Sequence, residues 1–103
     1  MIKHIVAWEF AEHAEGADKA ANVALVAEAL RGLPALIDGI VEFEVITPQP
    51  GLDNTFDLAI YSVFTDAAAL QGYAVHPEHL EVVALIGARR TSRACLDYDP
   101  AAL

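Results

Sequence analysis

The sequence predicts an α+β domain: a four-stranded antiparallel sheet with its helices packed on one face. Three observations predict it. Four segments read as strands: two place their residues on alternate faces with period two, a third is rich in β-forming residues, and a fourth lies near the end of the chain. Between them, apolar residues recur at helical spacing behind capping side chains. The resulting order, β-α-β-β-α(α)-β, folds most simply as one antiparallel sheet covered on one side. With 103 residues, a single domain spanning 1–103 is the expectation.

The first strand runs from Ile2 to Phe10. Ile2, His4, Val6, Trp8 and Phe10 share one face, and Lys3, Ile5, Ala7 and Glu9 share the other. The polar stretch AEHAEGAD ends it. Asp18 is the N-cap of a helix in which Val23, Val26, Ala27 and Leu30 form the apolar stripe, and Gly32 and Pro34 close it. Val41, Phe43 and Val45 alternate with Glu42 and Glu44 in a second strand. The segment TPQPGLDN is a loop. A third strand is expected over Phe56 to Phe64, and Asp66 caps a short helix, AAALQGYAV. His76 caps the next helix, because Pro77 suits a first helical turn. In that helix His79, Val82, Val83 and Ile86 fall on one side. A last strand is expected over Thr91 to Tyr98, followed by the tail DPAAL.

The second face of the sheet is expected to carry Ile5, Ala7, Ala59, Tyr61, Val63 and Cys95. That is too apolar a surface to face water, so a symmetric homodimer through the sheet faces is expected.

Composition excludes several classes of function. The chain is 55% hydrophobic, which supports a core, and its net charge is −9 with only six Lys and Arg. Nucleic acid and anionic membranes are therefore not expected partners. Cys95 is the only cysteine, so no internal disulfide or cysteine-based zinc site is available, and its apolar neighbours suggest a small buried residue. No apolar run reaches spanning length and MIKHIVAWEF lacks the pattern of a signal peptide, so a cytoplasmic location is expected.

The residues that carry chemistry are His4, Tyr73 and His79. His4 lies on the helix-facing side of the first strand, His79 points inward from its helix, and Tyr73 ends the helix before it. Together they would form one apolar pocket walled by Val6, Trp8, Val26, Leu30, Val83 and Ile86. A neutral imidazole in such a pocket is a base near neutral pH, and a second imidazole or a phenol can donate to a developing oxyanion. Each also has a structural reading as a core residue with a satisfied polar atom. His76 reads as a cap and His13 as a solvated loop residue. A metal is not expected: His76 and His79, with His4 or Glu78, lack a ligand signature. No cofactor motif is present either.

Through MIKHIV, FDLAIYSVFTDAAALQGYAVHPEHLEVV and SRACLDYD, the chain resembles the stress-responsive A/B barrel domain (Dabb) family from end to end. The resemblance implies a ferredoxin-like unit that dimerises through its sheets into a barrel with helices outside. It also implies a mixed functional repertoire. Some plant members are stress-associated, and one branch contains a polyketide cyclase that closes its product by aldol condensation without a metal. Carried over by motif, that branch's catalytic positions are His4 in KHIV, His79 in HPEH and Tyr73 in Y-x-V-H-P. A pocket tyrosine of the cyclase's first helix is matched by Val26, which makes this pocket more apolar.

Two functions follow. The sequence favours a non-catalytic homodimer that binds a small apolar ligand or has a stress-related role. The alternative is a cofactor-independent, polyketide cyclase-like lyase or aldol-type enzyme acting on a carbonyl ligand. A solvent-connected cavity lined by His4, Tyr73 and His79 would favour the second, and a filled core the first.

Overall fold

Strand β1 (Ile2–Phe10) lies inside the sheet, between β5 (Leu58–Phe64) and β6 (Arg90–Tyr98), in a computed structural model that describes all residues, Met1–Leu103. Its alternation has the expected consequence. His4, Val6, Trp8 and Phe10 are buried, while Lys3, Ile5, Ala7 and Glu9 are only partly covered. Strand β4 (Ile40–Ile46) completes the antiparallel order β4-β5-β1-β6.

Register assigns the faces. His4 stands opposite Ser62 on β5 and Asp97 on β6, Val6 opposite Ile60 and Cys95, and Trp8 opposite Leu58 and Arg93. Paired residues project to the same side of a sheet. Arg93, Cys95 and Asp97 therefore share the helix-facing side with His4. This corrects the expectation for Cys95, which is neither on the second face nor buried. Leu96 occupies the second face instead, opposite Ile5, and is 64% exposed.

Helix α1 (Lys19–Arg31) begins where Asp18 accepts from the Ala21 amide at 2.8 Å. Val26, Ala27 and Leu30 bury its inner stripe. Gly32 ends it in a right-handed conformation, and Pro34 sits within a short 3-10 turn, Leu33–Ala35. The polar stretch ahead of α1 is not plain loop. It is a two-residue hairpin, β2 (His13–Ala14) and β3 (Ala17–Asp18), turning through Glu15 and Gly16, both at positive φ. Buried Asn22 holds it, donating to the carbonyls of Ala14 (2.9 Å) and Ala17 (3.3 Å) and accepting from Arg89 (2.9 Å).

In β4 the pairing skips a residue between Ile40 and Glu42. Val41 is left unpaired in a bulge and 45% exposed, so it does not share the inward face of Phe43 and Val45 as the alternation suggested. β5 starts at Leu58, two residues later than expected.

Helix α2 (Ala67–Val75) is capped by Asp66, which accepts from the Ala69 amide at 2.8 Å. Helix α3 (Pro77–Gly87) follows directly. His76 joins them, its Nδ1 accepting from the Glu78 amide at 3.1 Å. The tail forms a short 3-10 turn, Pro100–Ala102, capped by Asp99. The helices cover one face only, which is the ferredoxin-like arrangement, and the core lies between them and β4, β5 and β1.

Candidate functional site

β6 is an edge strand, and most of its inner face stays uncovered by helices. Between that face, β1 and α3, a cavity of about 520 Å³ opens to solvent. Its floor is Val6, Trp8 and Ile60, and its walls include Leu30, Leu70, Val83 and Ile86. His4, Tyr73 and His79 all line it, and Arg90, Arg93, Cys95 and Asp97 complete it from β6. Of the expected wall residues, Val26 is the exception. It is fully buried in the core and does not line the cavity; Leu30, one turn later, does.

The three expected polar residues come together. Tyr73 lies between the two imidazoles, its ring centroid 4.2 Å from that of His79 and 6.1 Å from that of His4. Phe64 packs against Tyr73 at 4.9 Å and fixes its plane from behind. The helix break at His76–Pro77 makes this geometry. It ends α2 just past Tyr73 and restarts α3 so that His79 stacks over the phenol.

Each polar group has a distinct state. His79 Nδ1 donates to the Ala74 carbonyl at 3.0 Å, which leaves Nε2 as the lone-pair nitrogen. Burial holds the His79 pKa below its ordinary 6.5. The positive charges of His4, Arg93 and His76 push the same way, against the Ala74 bond. His79 is thus a neutral base at pH 7. The Tyr73 hydroxyl is buried and has no hydrogen-bond partner, and burial pushes its pKa far up, so it is a donor without an acceptor.

His4 is bound through Nδ1 to the Asp97 carboxylate, a partner the sequence reading missed. Only the β1–β6 register places Asp97 opposite His4; the alternation in SRACLDYD was the available signal. Cys95 Sγ lies 3.6 Å from Asp97 and 4.0 Å from His4 Nδ1. Desolvation and then the Asp97 carboxylate raise the thiol pKa, so it stays protonated. His4, Cys95 and Asp97 are the one group of three metal-ligating side chains, their donor atoms within 4.8 Å of one another. The set weighed from the sequence is not gathered, since His76 Nδ1 caps α3 and His79 Nδ1 is held by Ala74. His13 lies on the β2–β3 hairpin, away from the cavity.

A buried hydroxyl without an acceptor lowers stability, so Tyr73→Phe is expected to raise it by about 1 kcal/mol. In a domain of this size that is roughly 4–8 °C in melting temperature, read by thermal denaturation. A fall of that size would mean that the hydroxyl already has a partner.

Residues 2–100 match the family model described as the Stress responsive A/B Barrel Domain. A dimeric protein of unknown function and ferredoxin-like fold from Bacteroides fragilis is 33% identical; the match covers 95% of this chain and 94% of that one, with a TM-score of 0.81. A Dabb family protein from Mesorhizobium loti superposes at TM-score 0.68 and 22% identity, covering 96% and 95%. A hydroxynitrile lyase from Passiflora edulis superposes at TM-score 0.75 and 17% identity, covering 94% and 90%. The last two show a common fold and nothing more. No curated protein matches the chain.

Proposed function

The chain belongs to the stress responsive A/B barrel domain family, and from that premise we propose that its cavity performs cofactor-independent acid–base chemistry on a small carbonyl compound. The reaction would be of the aldol or lyase type, as in a polyketide cyclase. One observation carries this reading: an unpartnered, buried Tyr73 hydroxyl stacked against an imidazole held neutral. His79 Nε2 would take the proton from the carbon beside the carbonyl. The C–H electron pair would flow onto the carbonyl oxygen, where the Tyr73 O–H donates. His4, its Nδ1 held by Asp97, keeps Nε2 for the ligand and for proton return. A hydroxynitrile lyase is built on the same fold. The reading rests on this chain's own side chains, because fold alone does not assign function.

The test is deuterium exchange at the carbon between the ring and the carbonyl of phenylacetone, followed by proton NMR. Exchange is expected to run well above that of imidazole at equal concentration. A rate no faster than imidazole, with the ketone bound, would return the protein to the non-catalytic reading. In that reading it binds a small apolar ligand, with or without a stress-related role. The apolar floor and walls of the cavity favour this second reading.

The same proposal takes residues 1–103 as one domain acting in the cytoplasm as a homodimer. The outer sheet face supports the dimer, with Leu96 64% exposed beside half-buried Ile5, Ala7, Ala59 and Tyr61. Several similar structures are described as dimeric. No helix is long and apolar enough to cross a membrane, and the net charge of −9 argues against nucleic acid. Light scattering on a sizing column is expected to give twice the 11.0 kDa chain mass. Leu96→Glu is expected to shift it to the monomer, since it places a carboxylate in the middle of a mostly apolar face that the dimer would remove from water. A wild-type mass of one chain at micromolar concentration would rule the dimer out.

A further inference from the structure

The chain has six cationic side chains against fifteen acidic ones, and most are accounted for. Lys19 pairs with Glu12 at 3.2 Å and Asp57 at 3.5 Å. Lys3 lies over the Tyr61 ring on the outer sheet face, 5.6 Å from its centroid. Arg89 donates to Asn22 and to the Leu85 carbonyl. Arg31 stands in the last turn of α1, where a cation suits the helix dipole. Arg90 and Arg93 remain. Neither makes an ion pair with a carboxylate, the neighbour of Arg93 is the Cys95 thiol, which stays protonated, and both line the cavity. In so acidic a chain, two guanidinium groups without a carboxylate partner at one apolar opening are not a solvated charge run. The nearest carboxylate on their strand face, Asp97, is already bound to His4. Arg93 stands opposite Trp8 on the inner face of β6, two residues from Cys95 and four from Asp97 along the same cavity wall.

Donors thus stand at two levels. Arg90 and Arg93 supply cationic donors from β6, and Tyr73 supplies a neutral donor among the rings, with Val6, Trp8 and Leu30 as apolar surface nearby. The volume of about 520 Å³ suits a molecule of modest size. We propose that the ligand is an apolar oxo acid, its carboxylate held by Arg90 and Arg93 and its carbonyl oxygen turned to Tyr73. A planar guanidinium matches a carboxylate in geometry and charge, whereas an ester or amide gains little from it. The inference rests on the carbonyl reading of the cavity and adds the class of molecule that fills it.

Trp8 is the only tryptophan and lines the cavity, so its fluorescence reports occupancy. The probes are 4-oxo-4-phenylbutanoate and its primary amide, titrated at about pH 7.5 with calorimetry alongside. The acid is expected to bind about tenfold or more tightly than the amide, the scale of one charge-assisted contact. The double variant Arg90→Gln/Arg93→Gln is expected to bring the acid down to the amide's affinity while leaving the amide within about twofold of wild type. Arg31→Gln, away from the cavity, should keep the preference. Equal binding of acid and amide, or a preference that survives the double variant, would overturn the anchor and leave the carbonyl reading standing. No binding of either probe would overturn both.

Discussion

Replacing His79 with Ala is expected to lower catalysed deuterium exchange into phenylacetone by about 10²–10⁴-fold, the usual loss when a positioned base is removed. The expectation follows from three features of one side chain. Its Nδ1 proton is fixed on the Ala74 carbonyl, its pKa lies below the ordinary 6.5, and it stacks on an unpartnered donor. The wild-type rate should rise as pH climbs through the lowered His79 pKa and be level at pH 7. Stability should move with it in a defined sense. Because the folded pKa is below 6.5, the unfolded chain takes up the proton first as pH falls. The His79 contribution is therefore fully present above about pH 6.5 and is lost below it, as pH falls through the folded value. His79→Gln should show a shallower fall in melting temperature between about pH 7 and 5.5 than wild type. His4, His76 and Arg93 act on His79 and sharpen the wild-type slope. Should His79→Ala melt many degrees lower while exchange is untouched, the imidazole is a core residue and the catalytic reading fails.

What could be read from the sequence divides along a physical line. Features set by near neighbours were legible. The alternation of β1 put His4 inward, and the caps Asp18, Asp66 and His76 marked the helix starts. The 3.6-residue period turned His79 toward the sheet, so the meeting of His4, Tyr73 and His79 could be anticipated from two local periodicities. Features set by register were not. Cys95 was assigned to the wrong face, and Asp97 was missed as the partner of His4. Both depend on which residue stands opposite β1, a pairing between strands more than eighty residues apart in sequence. Val41 fell into a bulge for the same reason. The Glu15–Gly16 turn escaped notice because the usual Asn-Gly or Asp-Gly signal is absent and Asn22, on another element, holds the hairpin. Val26 and Leu30 share one helical stripe, but the cavity stops between them, a matter of depth that no periodicity encodes.

Gly39→Val is expected to be the most damaging single change outside the cavity, lowering stability by about 3–5 kcal/mol. Two causes add. Gly39 has φ +89°, a region that β-branched side chains avoid. A Cβ there would also stand 2.8 Å from the Ala69 Cβ, a short rigid group that cannot swing aside. Gly39 further accepts the Thr65 amide at 3.1 Å, so the turn before β4 is tied to the start of α2 and cannot drift away. Gly51 separates the causes: it has φ +81° with nothing within 4 Å of a would-be Cβ. Gly51→Val should show the backbone cost alone, and the excess at Gly39 measures the close approach. A loss of about 3 kcal/mol corresponds to roughly 12–24 °C in a domain of this size. The damage should also reach the cavity, because Ala69 and Tyr73 are four residues apart on one face of α2. Displacing the first turn of that helix shifts the phenol from its place between the imidazoles. Binding of the oxo acid should therefore weaken in Gly39→Val, measured below its melting point, and stay unchanged in Gly51→Val. If the two variants melt together, the packing of the turn against α2 is looser than described, and α2 does not depend on Gly39 to hold Tyr73 in register.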